Sequence, residues 1–269
     1  MKRKFGAVLL LCLTLWTTLC GCARGAAEQT AYIGIISAMD IEIDILLEEA
    51  QIERVDTVAG IDYHVGTLRG QPVVISRAGI GKIRAASGIT AMLNRYPVSK
   101  VIFTGIAGGV SEETQVLDEV IATDLVEHDY GILSNDGFVW RSGDPGIGDE
   151  AGVYYACDPG LVELAYNAAA EVVGEEHAFR GTIATGDQFI ANADTVKRLK
   201  EDYDAYACEM EGAAIAVVCL EYGTPFVVIR AVSDKADGEA HDSYESFGEI
   251  AADHSSKIVL KMLEKTGKY

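Results

Sequence analysis

Apolar residues follow two rhythms along this chain, compact runs and stretches spaced three or four apart. Ala31 to Ser37 is a compact run with β-branched residues, the pattern of a buried first strand. Met39 to Ala50 follows with helical spacing. Val65 to Leu68 and Pro72 to Ser76 flank Arg69-Gly70 as hairpin strands. Ile83, Ala86, Ile89 (or Thr90) and Leu93 mark one helix face, and Pro97 closes that helix. Val101 to Thr104 is a short run ending in glycines, Leu117 to Thr123 a further strand, and Leu161 to Val173 a helix. Gly181 to Thr185 and Phe226 to Val232 read as strands, and Ile250, His254, Ile258 and Met262 fall at i+4 steps on a final long helix. This alternation predicts a single three-layer αβα domain around a mostly parallel, twisted central sheet. Asp129 to Gly152, rich in Gly, Asp and Ser, reads as a long functional loop, and its Phe138, Val139 and Trp140 form an apolar cluster of the kind that marks an interface or ligand groove.

The N-terminus departs from both rhythms. Lys2, Arg3 and Lys4 precede an apolar run from Ala7 to Leu15 that is too short to span a bilayer. Leu19-Cys20-Gly21-Cys22 then resembles a bacterial lipobox, which implies cleavage before Cys22 and acylation of its thiol. Cleavage after Ala26 or Ala27 and a retained membrane anchor are the alternatives. On the lipobox reading, residues 1–21 are a lipoprotein signal, 22–30 a tether and 31–269 the domain. The protein is then extracytoplasmic and touches the membrane only through its lipid. The net charge of −19, more negative still without the leader cations, argues against nucleic acid or anionic lipid as partner. Cys157, Cys208 and Cys219 are too few and too irregular for a disulfide framework and read as buried free thiols.

Candidate chemistry concentrates late in the chain. The apolar strand from Phe226 ends on the carboxylate of Asp234, and Glu209-Met210-Glu211 opens an apolar helix about twenty residues earlier. Two carboxylate sites at one sheet edge suit proton donation beside recognition of a polar substrate. The bland alternatives are a loop cap at Asp234 and a helix start at Glu211, where negative charge is favoured anyway. Gly105-Ile106-Ala107-Gly108-Gly109 lacks dinucleotide-binding spacing, and Gly79-Ile80-Gly81-Lys82 lacks P-loop spacing. His64, His128, His177, His241 and His254 are scattered without metal-ligand spacing, so neither metal nor cofactor is expected. No G-x-S-x-G elbow supports a serine hydrolase, and Cys208 is better explained by packing than as a nucleophile.

Taken in order, Ile33-Gly34-Ile35-Ile36-Ser37-Ala38-Met39-Asp40-Ile41-Glu42, Ala78-Gly79-Ile80-Gly81-Lys82, Thr104-Gly105-Ile106-Ala107-Gly108-Gly109, His128-Asp129, Thr185-Gly186-Asp187-Gln188-Phe189-Ile190, Glu209-Met210-Glu211 and Ser233-Asp234 resemble the bacterial 5′-methylthioadenosine/S-adenosylhomocysteine nucleosidases. That family lies within the purine nucleoside phosphorylase superfamily. The resemblance runs from Tyr32 onward and implies hydrolysis of the N-glycosidic bond of a 5′-modified adenosine. It implies Asp234 as the general acid at purine N7 and Glu42 as the residue that positions and deprotonates water. Glu211 would bind the ribose hydroxyls, Met210 would pack on the sugar, Phe189 would stack on the purine, and the Ile190 backbone would read its edge. Ile80, Glu209, Ser233 and Tyr244 complete the implied substrate-binding set, with Arg230 and Ser233 orienting the acids. A homodimer is implied, one subunit's loop closing the other's 5′ pocket.

Three positions depart from the family pattern. Ile106 replaces a hydroxyl residue, Tyr244 stands where phenylalanine is usual, and Asp129 to Gly152 matches only at its start. Two rivals stay open, a nucleoside phosphorylase and a surface lipoprotein that captures nucleosides without cleaving them. For the leader, Cys22→Ala should abolish membrane association while the protein stays soluble and active. Cell fractionation checks this, and a variant still in the membrane fraction would replace the lipid with an uncleaved anchor.

Overall fold

The computed structural model describes residues 31–140 and 153–266. The leader, Cys22 and the tether lie outside the described residues, as do residues 141–152 of the expected loop. Strand β1 (Tyr32–Ser37) leads through a 3-10 turn (Asp40–Glu42) into the short helix α1 (Asp44–Glu49). Strands β2 (Gln51–Val58), β3 (Ile61–Leu68) and β4 (Gln71–Arg77) form an antiparallel meander before α2 (Lys82–Arg95). Next come β5 (Val98–Gly109), β6 (Glu119–Glu127), the hairpin β7 (Gly131–Ser134) and β8 (Gly137–Trp140), then β9 (Tyr155–Ala156) and α3 (Pro159–Val173). Strand β10 (Ala178–Thr185), α4 (Ala193–Tyr203), β11 (Ala205–Glu209), α5 (Gly212–Tyr222), β12 (Phe226–Asp234) and α6 (Ala240–Thr266) complete the domain.

The central sheet runs β11-β10-β6-β12-β5-β1-β4-β3-β2. Its middle is parallel, β12 with β5, β5 with β1 and β1 with β4, and so are β6 with β10 and β10 with β11. Antiparallel pairing of β12 with β6 and of β5 with β11 makes the sheet mixed. Strand β5 is twelve residues long, and its last residues, Gly108 and Gly109, pair with Cys208 and Ala207. This contact closes β5, β12, β6, β10 and β11 into a barrel-like ring. Glycine is required at the closure, since a Cβ on Gly108 would lie 2.9 Å from the Ala236 Cβ and 3.0 Å from Asp234 Oδ1. Helices α2 and α5 pack together, and α3 packs on α6, which in turn covers β5 and β12. Strand β12 is buried at all nine positions, as its near-continuous apolar run requires.

Several local expectations change. Strand β2 has a polar, largely exposed sequence and gave no strand signal, because as an edge strand it buries little. The inward face of α2 is Ala85, Gly88, Ile89 and Met92, while Ile83 is 84% exposed, so the predicted stripe was rotated from the real one. On α6, Ile258 and Met262 are buried but Ile250 is exposed. The start of the expected long loop is the β7–β8 hairpin, and its Trp140 folds back onto its own chain. The indole N–H donates to the Glu127 carbonyl at 2.8 Å, and the ring meets Tyr203 and Tyr154 edge-on. Among the described residues no helix is long and apolar enough to cross a membrane. Cys157, Cys208 and Cys219 are buried free thiols.

Candidate active site

The C-terminal ends of β1, β5, β11 and β12 meet at one edge of the sheet, where a doubly wound fold places its ligand. There Glu42 follows β1, Glu211 follows β11 and Asp234 ends β12, all three lining one cavity of about 310 Å³. Each is nearly inaccessible, at 2%, 5% and 2% exposure. Three buried carboxyl groups are costly unless paired or neutral, and the structure uses both remedies.

Pairing comes from Arg230, fully buried in the middle of β12. Its Nη2 lies 2.6 Å from Glu209 Oε2 and 3.5 Å from Glu211 Oε2, and its guanidinium rests on the Phe103 ring at 4.0 Å. Glu42 feels the same charge. Gly105 makes this possible, because a Cβ there would collide with both Arg230 Nη1 and Glu42 Oε1.

Glu42 accepts backbone N–H groups on both oxygens, Ala38 (2.9 Å) and Met39 (2.8 Å) on Oε2 and Ile106 (3.0 Å) on Oε1. Burial raises its pKa nonetheless, against the pull of Arg230 and these amides. Glu211 stands at the N-cap of α5, yet its side chain caps nothing there. Its Oε1 accepts the Gly81 amide at 2.7 Å, and burial together with Glu209 pushes its pKa up to about 8. Asp234 does serve its loop, accepting the Ala236 amide on Oδ1 at 2.8 Å, while Oδ2 faces the Ser233 hydroxyl at 2.8 Å. Burial outweighs both bonds and raises its pKa.

Glu209 was expected among the substrate ligands, and its oxygens already hold several partners. It borders the cavity, but Oε2 accepts the Glu211 and Gly212 amides and Arg230, and Oε1 accepts the Thr185 hydroxyl. It therefore caps α5 and frees Glu211 to face the cavity. Cys208 also borders the cavity, and burial raises its thiol far above the nucleophilic range.

The remaining wall is largely apolar. Ile80, Ile106, Phe189, Ile190, Met210 and Tyr244 all line it, Phe189 and Ile80 being about half exposed at the mouth. The loop carrying Phe189 and Ile190 is tied down by a polar clamp. Asp187 Oδ1 accepts the Lys82 amide (2.9 Å), the Asp187 amide donates to Asp129 Oδ2 (2.8 Å), and Lys82 Nζ lies 2.7 Å from Asp129 Oδ1. Asp129 is thereby a positioning residue, while His128 is buried beneath Gly186. Met39, Gln188 and His241 line the cavity without having been singled out as ligands. His241 carried no usable signal, since a lone histidine at a helix start reads as surface.

Comparison with known proteins agrees with this geometry. The family described as Phosphorylase superfamily matches residues 32–264. The 5′-methylthioadenosine/S-adenosylhomocysteine nucleosidase of Bacillus subtilis is 39% identical over 87% of this chain and 98% of its own, and that of Geobacillus thermodenitrificans 41% over 85% and 94%. The chain belongs to the 5′-methylthioadenosine/S-adenosylhomocysteine nucleosidase family. The Neisseria meningitidis enzyme of that name, solved with methylthio-immucillin-A, superposes with a TM-score of 0.78 at 33% identity, covering 87% of this chain and 99% of the other. A futalosine hydrolase of Helicobacter pylori superposes with 0.77 at 30% identity, covering 88% and 98%.

Arg230→Met should destabilise the fold by about 3–5 kcal/mol, because buried carboxylates lose their counter-charge. The loss should be smallest in acid. Glu42 and Glu211 have raised folded-state pKa values, so their contribution is fully present below the ordinary 4.5 and is lost as pH rises, for Glu211 through about 8. Thermal melts from pH 5 to pH 8 should show the gap between variant and wild type widening. A gap independent of pH would mean that Arg230 acts by packing alone.

Proposed function

We propose that this chain hydrolyses the N-glycosidic bond of 5′-methylthioadenosine, S-adenosylhomocysteine or a related 5′-modified adenosine, releasing adenine. The carrying observation is the trio of Glu42, Glu211 and Asp234 on one cavity, each with its proton affinity raised by burial. Asp234, whose proton affinity burial raises, delivers a proton to N7 of the purine as the bond from C1′ to N9 breaks, so the electron pair leaves on a neutral base. Glu211 binds the ribose hydroxyls beside the developing oxocarbenium ion. Glu42 accepts a proton from the water that attacks C1′. Phe189 stacks on the purine, the Ile190 backbone reads its edge and Met210 packs on the sugar.

Phosphorolysis fits less well. A phosphate nucleophile needs cations, and among the described residues no lysine or arginine lines the cavity. Arg77 pairs with Asp40 at 2.7 Å on the surface, and Arg230 is committed to Glu209 and Glu211. Hydrolysis needs only water at the same place.

We also place this enzyme outside the cytoplasm, tethered by lipid at Cys22, on the strength of the lipobox, and infer a homodimer. Trp140 is used up within its own chain, so the dimer contact is better sought on α2 and α5. There Ile83 and Leu220 stand 84% and 50% exposed around a groove shared with Tyr130 and Ala86, close to the Ile80 edge of the cavity.

Two outcomes follow. Asp234→Asn keeps the shape of the acid without its proton, so adenine release should fall at least about a hundredfold in a folded protein. Chromatography after incubation with methylthioadenosine, with and without phosphate, checks this. Near-wild-type turnover would remove Asp234 from the mechanism, and ribose 1-phosphate among the products would restore the phosphorylase. For the dimer, Ile83→Glu should convert a dimeric wild type to monomer in sedimentation velocity. A monomeric wild type with full activity would overturn the assembly.

A further inference from the structure

Beside Gln188, His241 and Ser233, one stretch of the cavity lining is largely apolar. Met39, Ile106 and Tyr244 pack in one cluster with Ala231, Ala251 and Ala252, and Phe189 meets the Tyr244 ring edge-on with centroids 6.2 Å apart. The exception is the Tyr244 hydroxyl. Its hydrogen-bond partner is the Met39 thioether sulfur at 3.7 Å, a weak acceptor on a flexible side chain. Tyr244 is only partly buried, so this bond leaves its hydroxyl open to a better acceptor from the cavity. Burial, with Glu42 and Asp234 nearby, raises its pKa further, so the group presents an O–H at every working pH.

Packing does not explain the hydroxyl. The contacts that seat Tyr244 are made by its ring, against Phe189 on one side and toward Gly248 on another, where a Cβ would meet the ring at 3.5 Å. A phenylalanine would make the same contacts. The oxygen is therefore available to what enters the cavity that Tyr244 lines. On the reading above, Asp234 takes the base and Glu211 the ribose hydroxyls, which leaves the substituent at C5′ to face this wall.

We propose that Tyr244 is a specificity-determining residue, its hydroxyl selecting 5′ substituents that bring an oxygen to this wall, a 5′-hydroxyl or a short polar group, over purely apolar ones. The inference rests on the adenosine-derivative reading of the site. An incoming oxygen displaces the thioether sulfur, replacing a weak acceptor with a strong one. Ile106 and Met39 place apolar side chains beside the hydroxyl.

The test compares kcat/KM for adenosine and for 5′-deoxyadenosine, which differ only in the 5′ oxygen, in wild type and in Tyr244→Phe. The ratio of the two should fall roughly three- to tenfold in the variant, the worth of one neutral hydrogen bond. A general loss of packing lowers both substrates together and cancels in the ratio. An unchanged ratio, or one that rises, would overturn the role of the hydroxyl. Release of adenine from neither substrate by the wild-type protein would instead remove the parent reading, and this inference with it, so the two failures are distinct.

Discussion

The buried guanidinium of Arg230 is the interaction on which the site depends. It sits in a strand with no exposed residue, against Phe103, and faces Glu209 and Glu211 while Glu42 feels its charge across Gly105. One cation cannot neutralise so many acids at low dielectric. Burial therefore still raises the proton affinity of Glu42 and Glu211 against the pull of Arg230, Glu211 to about 8, and raises that of Asp234 beside them. A carboxyl that burial inclines toward its proton is suited to delivering one.

Division of labour among the acids follows from where each lies relative to backbone amides. Glu209 spends both oxygens on Arg230, Thr185 and the first amides of α5. Because it caps the helix, Glu211 at the N-cap is released to reach the Gly81 amide and the cavity. Glu42 is held by three amides from two segments, so its orientation is set before any substrate arrives. Asp234 has one oxygen on its own loop and the other on a hydroxyl, the least constrained of the three. Preorganisation of this kind costs nothing at the moment of reaction.

Much of this was legible in the chain. The strand ending on Asp234 and the helix opened by Glu211 carried a joint local signature, two apolar segments bounded by acids, whereas the acidic turn after β1 gained its meaning only from the ordered motifs. Edge strand β2 and the true face of α2 carried none. Strand β2 buries too little for its composition to report its pairing, and α2 packs through Ala85 and Gly88, residues that any hydrophobicity pattern undervalues beside Ile83. Glu209 was grouped with the substrate ligands, and spacing alone does not show that it also caps the helix.

By itself the sequence determined the fold class, the family and the identity of the candidate acids, because motifs and the strongly periodic segments are local and survive without coordinates. Tertiary structure decided how those acids divide their work. The pairing of Gly108 and Gly109 with Cys208 and Ala207 joins segments about a hundred positions apart and curls the sheet until β11 delivers Glu211 beside Asp234. Arg230 became the counter-charge only when Gly105 let two strands' side chains meet. Tyr244 became a hydroxyl on a largely apolar stretch of wall only once Met39 and Ile106 had packed beside it. Each of these rests on a close approach between distant residues, and distance along the chain holds no record of distance in space.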